Sequence, residues 1–370
     1  MDANGLEGIV VADTTLSDVD GERGRLVIRG HDVEPLALQH DFEAACALLW
    51  SGALPDHGAH AALRAGLGRA RVHAFARLGA LGDALDARDA MDALRAALAH
   101  LHADGLAPLP LKLEITAAVA VSATAWLRRR AGCEAIAPDP ALGHAADLLR
   151  MAGMAFAARE QAARARALDT YLVAASDHGM NASTFTARVV ASTHSDAVSA
   201  VVAAIGALKG PLHGGAPGPV LAMLDAIGSP EQAPQWVARE LAAGRRIMGM
   251  GHRVYRVRDP RAAVMERAIE RLEAGGVRSP RLALARAVEA VAVASLGERR
   301  PERRLAANVE FYTAVILDAV GLPPELFSAV FAAARVAGWL AHIDEQVAGG
   351  RLIRPASRYV GPQPSLAEAA

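Results

Sequence analysis

Outside residues 6–30, this sequence is a succession of helix-period apolar segments cut by proline and glycine, and that pattern points to a mainly α fold. Ala/Leu/Arg-rich stretches at 57–78, 86–103 and 109–130 carry apolar residues at helical spacing. Asp41 precedes Phe42–Trp50 as an N-cap candidate, with Glu43 in the first turn. Further helices are predicted over Ala141–Met154, Arg159–Ser176, Phe185–Ala191, Ser195–Leu208, Pro217–Ile227, Pro230–Gly244, Arg261–Ala274, Pro280–Leu296, Leu305–Val320 and Pro323–Val347. Pro217 stands near a first turn, where a missing N–H is tolerated. The β-branched runs Ile9-Val10-Val11 and Leu26-Val27-Ile28 flank turn chemistry over Ser17–Gly24, which predicts a small hairpin-like N-terminal β element.

With 370 residues, 52% of them hydrophobic, the chain can bury a large core and accommodate a second, smaller domain. A net charge of −1 gives no global field for nucleic acid or an anionic membrane, so any anion site must be local. Two cysteines, Cys46 and Cys133, form no disulfide framework or multi-cysteine metal site, and suit a reducing cytoplasm. The first residues lack a basic segment followed by an apolar one, so no signal peptide is expected. Nor is any apolar run read as long enough to span a bilayer.

Two glycine-rich bends stand out. Gly210–Leu224 contains no formally charged residue, and His213 is its only titratable side chain. Arg245–Arg261 sets six arginines around His252, opposed by Asp259 alone. A neutral pocket with one imidazole and a cationic loop with another suit an anionic substrate undergoing proton transfer. The bland alternatives are a histidine capping a bend and a solvated basic loop. A helix start after His213 would keep its ring neutral and able to donate to a developing oxyanion.

Two isolated charges also need a reason. Glu310 is the only charge between Leu305 and Leu317, and is either a base of raised pKa or a solvated or arginine-paired carboxylate. Arg335 is the only charge between Leu326 and Leu340. Its buried guanidinium needs an anion, either a structural carboxylate such as Glu310 or a bound substrate. His178 is followed by Asn181, Ser183 and Thr184, which read as cap residues. His100 and His102 read as surface.

Taken together, G-P-L-H-G-G-A (210–216), G-H-R-V-Y-R-V-R-D-P-R (251–261), N-V-E-F-Y-T-A (308–314), F-A-A-A-R-V-A-G-W-L-A-H (331–342) and I-R-P-A-S-R-Y-V-G-P (353–362) resemble citrate synthase, in the family's order and spacing. Residues 5–21 match its compact prokaryotic branch. The resemblance implies an almost wholly helical two-domain homodimer, with a large domain of residues 1–214 and 326–370 and a small domain of 215–325. It also implies condensation of acetyl-CoA with oxaloacetate and release of CoA, with no metal or redox cofactor. In that scheme Glu310 is the base, His213 holds the enolate oxygen and His252 polarises the ketone. His178, Arg261 and Arg335 bind oxaloacetate, joined by Arg354 from the other subunit. Met248, Gly249, Met250 and Gly251 correspond to the adenine-binding loop, and Arg256 or Arg258 to CoA phosphate ligands. A 2-methylcitrate synthase using propionyl-CoA and a non-catalytic CoA- or dicarboxylate-binding paralogue are the alternatives. Three residues depart from the commonest family pattern: Glu310 for aspartate, Gly179 for glutamate after His178, and Lys209 for an apolar residue.

Overall fold

The computed structural model describes residues 5–6, 8–102, 105–214, 217–251, 254–299 and 305–362. Its only sheet among these has three short antiparallel strands, β1 (Ser17–Asp20), β2 (Arg25–Ile28) and β3 (His31–Asp32), in the order β1-β2-β3. Ser17 pairs with Ile28 and Asp20 with Arg25. Asp20 Oδ1 closes the turn by accepting the N–H groups of Glu22 and Arg23 at 3.1 and 2.9 Å. The strand predicted at Ile9-Val10-Val11 does not form. Ile9 and Val10 are exposed, Val10 by 83%, whereas Leu16, Leu26 and Ile28 are buried beneath the helices. Burial therefore overrides β propensity, and β1 takes four residues predicted as turn.

Fifteen α-helices follow among the described residues: α1 (Val33–Gln39), α2 (Phe42–Ser51), α3 (His57–Ala76), α4 (Ala90–Ala99), α5 (Pro108–Arg130), α6 (His144–Met151), α7 (Ala158–Ala175), α8 (Ala182–Ala191), α9 (Ala197–Leu208), α10 (Pro217–Ile227), α11 (Ala233–Ala242), α12 (Pro260–Ala274), α13 (Pro280–Arg299), α14 (Val309–Ala319) and α15 (Phe327–Gly349). Asp41 caps α2 as expected, accepting the N–H of Ala44 at 2.9 Å. Helix α1 was not predicted. It is only seven residues long, with Pro35 inside it, and buries Val33, Leu36, Ala37 and Leu38; tertiary packing rather than propensity holds it. The segment 86–103 yields a shorter helix, because Asp89 caps α4 through the N–H groups of Met91 and Asp92. His100 and His102 are exposed beyond its end.

Helix α15 is the hub, packing against α2, α4, α5, α7, α8 and α9. With neighbours on every side it is apolar all round. Contrary to the sequence expectation, Pro324–Gly349 is long and apolar enough to cross a membrane by length and composition; 94% of its apolar window is buried inside the protein. Gly338 on α15 permits the closest approach. A Cβ there would stand 2.3 Å from the Ser176 carbonyl oxygen and 2.7 Å from Asp177 Oδ1. The Asp177–His178 segment is thereby laid directly on the helix that carries Arg335. Helices α10, α11, α13 and α14 pack together, and α12 packs on α14, α1 and α7; α14 also touches α7 directly, and α10 touches α15.

Candidate active site

His213 ends a tight bend in which its own N–H bonds to the Gly210 carbonyl at 2.9 Å and the Gly214 N–H to Leu208 at 3.0 Å. Ser328 on α15 fixes the bend by donating to the Gly214 carbonyl at 2.8 Å. The ring reaches the first turn of α8, where the backbone N–H of Ser183 donates to Nε2 at 3.3 Å. Ser183 Oγ lies 2.8 Å from the same nitrogen and accepts from Trp339 Nε1 at 3.1 Å. Since Nε2 accepts, the neutral ring carries its proton on Nδ1. Burial, then the charge of Arg335, lowers the imidazole pKa to about 4. The N–H that reaches the ring thus belongs to α8, not to the helix that follows the bend.

Glu310 lies in the first turn of α14, which Asn308 caps by accepting the Glu310 N–H at 3.0 Å. That cap shortens the predicted helix and frees Ala306–Asn308 to pair with the Met248–Gly251 loop. Gly251 N–H donates to Ala306 O at 2.8 Å, Asn308 N–H to Gly249 O at 2.9 Å, and Asn308 Nδ2 to Gly251 O at 2.9 Å. Gly249 is required here. Its φ is +75°, and a Cβ would stand 2.8 Å from that of Phe311. Glu310 Oε2 is buried and has no hydrogen-bond partner among the described residues. Burial raises its carboxyl pKa to about 7, with Arg261 and Arg335 pulling down and Asp259 pushing up.

Arg335 is buried in the middle of α15. Its Nε donates to Ala175 O at 2.7 Å, a carbonyl at the C-terminus of α7, and its guanidinium lies over the Phe331 ring at 4.9 Å. The structural carboxylate expected for it is absent: among the described residues it forms no ion pair, and Nη2 is buried with no partner. Burial lowers its pKa to about 10, against the supporting charge of Asp177. Arg261 differs, because Asp259 holds it at Nε and Nη2 (3.0 and 2.7 Å). Asp259 Oδ2 also accepts the Val309 N–H at 3.2 Å, which ties Arg261 to the start of α14. His178 Nε2 meets Tyr255 Oη at 3.0 Å. Asp177 beside it is bonded by Ser17 Oγ at 2.6 Å and contacted by His342 Nε2 at 3.2 Å. Burial pushes the Asp177 carboxyl up, but His342, Arg335 and Ser17 outweigh it and hold the group below its ordinary range.

Arg335 thus acts on both the neutral imidazole of His213 and the Glu310 carboxyl, and Arg261 acts on Glu310 and Arg335, which gathers the four groups into one region. Such a set can remove a proton from carbon next to a bound anion. Comparison with known proteins agrees. The family pattern described as "Citrate synthase, C-terminal domain" matches residues 5–356. A citrate synthase of Haloferax volcanii is 38% identical, covering 96% of this chain and 95% of the relative. This chain belongs to the citrate synthase family. A 2-methylcitrate synthase of Mycobacterium tuberculosis is 36% identical over 96% of this chain and 90% of its own. The citrate synthase of Thermoplasma acidophilum, solved as a ternary complex with carboxymethyl coenzyme A and oxaloacetate, superposes with a TM-score of 0.84 at 28% identity, covering 100% of this chain and 99% of that one.

Not every residue singled out from the citrate synthase motifs joins the cluster. His252 lies outside the described residues. Arg256 is largely exposed, 3.9 Å from Glu22. Arg258 is engaged by Glu289 at 2.8 Å and Glu266 at 2.9 Å, which argues against it as a phosphate ligand. Arg354 is exposed on the C-terminal segment, whose nearest anchor is the Ile353 N–H to Ser192 Oγ at 3.0 Å. Lys209 pairs with Asp92 at 2.5 Å. Three residues were given no site role from the sequence. Tyr255 and Asp177 left no periodic signal, whereas Asp259 was visible as the lone acid of the basic loop. Among the described residues no group of three His, Cys, Asp or Glu is placed to hold a metal.

Proposed function

We propose that this chain is an acyltransferase that condenses acetyl-CoA with oxaloacetate and hydrolyses the thioester to give citrate and CoA. The observation that carries the reading is Glu310 Oε2, a buried acceptor without a partner among the described residues, on a carboxyl whose pKa is about 7. Its ionised form takes a proton from the thioester α-carbon. His213, neutral and protonated on Nδ1, donates to the enolate oxygen as charge develops there. Arg335 turns its unpartnered Nη2 to a carboxylate of oxaloacetate, with Arg261 and His178 as further ligands and His252 polarising the ketone. The enolate carbon then attacks that ketone, and water cleaves the resulting thioester.

The remaining assignments belong to the same proposal. The Met248–Gly251 loop receives the adenine, with Arg256 available to phosphate. Residues 215–325 form the small domain and close on the large domain of 1–214 and 326–370. Two copies form a dimer in the cytoplasm, with Arg354 reaching the partner's site, and the enzyme serves the tricarboxylic acid cycle. The proposed reaction draws on no metal or redox cofactor. The test is CoA-thiol release, which should need both acetyl-CoA and oxaloacetate. No release from either acetyl-CoA or propionyl-CoA would sink the reading. The M. tuberculosis 2-methylcitrate synthase supports a second substrate, propionyl-CoA. One methyl group provides only about 1–3 kcal/mol of discrimination, so the ratio of kcat/KM values decides between them.

A further inference from the structure

The N-terminal hairpin touches both segments that carry the His178–Tyr255 pair. On β1, Ser17 Oγ donates to Asp177 Oδ2 at 2.6 Å and accepts the Gly179 N–H at 2.8 Å, so one hydroxyl closes around the backbone of His178. At the turn, Gly21 O accepts the Arg256 N–H at 2.9 Å. A Cβ on Gly21 would stand 2.2 Å from the Val254 carbonyl oxygen, and one on Gly24 would stand 2.6 Å from Val257 Cγ2. Gly24 has a φ of +63°, which alone would favour glycine. Gly21 has no such φ; the demand for glycine there comes from the approach of Val254. His178 and Tyr255 stand between these two anchor points and bond across 3.0 Å.

We propose that the hairpin Ser17–Ile28 is a positioning element for the oxo-acid half of the site, with Ser17 and Gly21 as its two working residues. Ser17 fixes the segment that presents His178. Gly21 fixes how closely the segment Val254–Arg258, two residues after His252 in the sequence, approaches it. A rigid two-point gauge of this kind sets ligand spacing without touching the ligand, and spacing errors of about an ångström weaken a polar site strongly. The inference rests on the proposed assignment of these segments to oxaloacetate.

The test is oxaloacetate titration by calorimetry, with steady-state KM values for both substrates, on the full-length wild type, Gly21→Ala, Ser17→Ala, Ser17→Thr and Arg23→Ala. Gly21→Ala and Ser17→Ala should each weaken oxaloacetate binding by about tenfold or more while the KM for acetyl-CoA stays within about twofold. Ser17→Thr keeps the hydroxyl on a strand-suited frame and should restore binding. Arg23→Ala, a solvated residue of the same turn, should match the wild type. If Gly21→Ala does not fold, the Ser17→Ala and Ser17→Thr pair decides alone. Unaltered oxaloacetate binding in the folded variants, or equal losses for both substrates, overturns the inference while leaving the function standing. A folded wild type that binds no oxaloacetate overturns the function and this inference with it.

Discussion

The backbone N–H of Ser183 points at Nε2 of His213 across 3.3 Å, from the first turn of α8. Burial and the charge of Arg335 keep the ring neutral, and this contact, from a helix N-terminus that disfavours imidazolium, makes Nε2 the acceptor. With the pKa lowered from its ordinary 6.5 to about 4, an unfolded His213 binds more protons than a folded one between those values. Its contribution to stability is therefore complete above pH 6.5 and is lost as pH falls through 4. Nitrogen NMR of labelled protein should show a neutral ring with the proton on Nδ1 at pH 6. His213→Ala should flatten the loss of stability between pH 6.5 and 4 and lower kcat by about 10²–10³-fold, the usual cost of an oxyanion donor. An imidazolium signal at pH 6 would remove His213 as a neutral donor.

Glu310 carries the opposite linkage. Its carboxyl is raised from 4.5 to about 7, so between those values the unfolded chain is ionised while the folded chain still holds its proton. Stability is greatest below pH 4.5 and declines as pH rises towards 7. Glu310→Gln should abolish turnover, leave oxaloacetate binding in place, and stabilise the fold at pH 8 by at most about 3 kcal/mol. In the wild type, the acid limb of kcat/KM should fall near pH 7. Chemical denaturation at pH 5 and pH 8, paired with the pH–rate profile, measures both effects. Undiminished turnover in the Gln variant would exclude Glu310 as the base.

What the sequence made legible follows from range. Helix periodicity, the Asp41 cap and the isolation of Glu310 and Arg335 in apolar runs are local, and local patterns survive folding. The partner of Arg335 was not legible, because the carbonyl of Ala175 arrives from 160 residues away. Ser183 read as a cap residue, and only the fold brings His213 and Trp339 to it. Ser17 looked like turn chemistry until Asp177 supplied a partner across another 160 residues. At Ile9-Val10-Val11 the local signal was real, but Ile9 and Val10 stay exposed and only Val11 is half-buried.

Arg335 should show a trade of stability against function. Its guanidinium is buried with Nη2 unpartnered among the described residues, an arrangement that costs the free protein energy and suits an arriving carboxylate. Arg335→Met keeps much of the volume and removes the charge. Its expected outcome is a higher Tm in the absence of ligand, by about 1–4 kcal/mol of stability, with loss of oxaloacetate binding. Calorimetry and a thermal scan with and without oxaloacetate read both quantities. A variant that is less stable yet still binds would make Arg335 a structural residue.

Arg354 supplies the sharpest test of the proposed dimer. It stands exposed on the C-terminal segment, where Leu352, Tyr359 and Val360 are exposed as well. An arginine that serves the partner's site should be dispensable in the subunit that carries the base. Glu310→Gln and Arg354→Ala homodimers should each be inactive. In a heterodimer of the two, one site combines two lesions, while the other pairs an intact Glu310 with an intact Arg354 from across the interface. Purified heterodimers should regain about half the activity of a wild-type dimer. If Arg354 served its own subunit, each site would keep one lesion and no activity would return. Differential tagging isolates the heterodimer, and its CoA-thiol release separates the two outcomes.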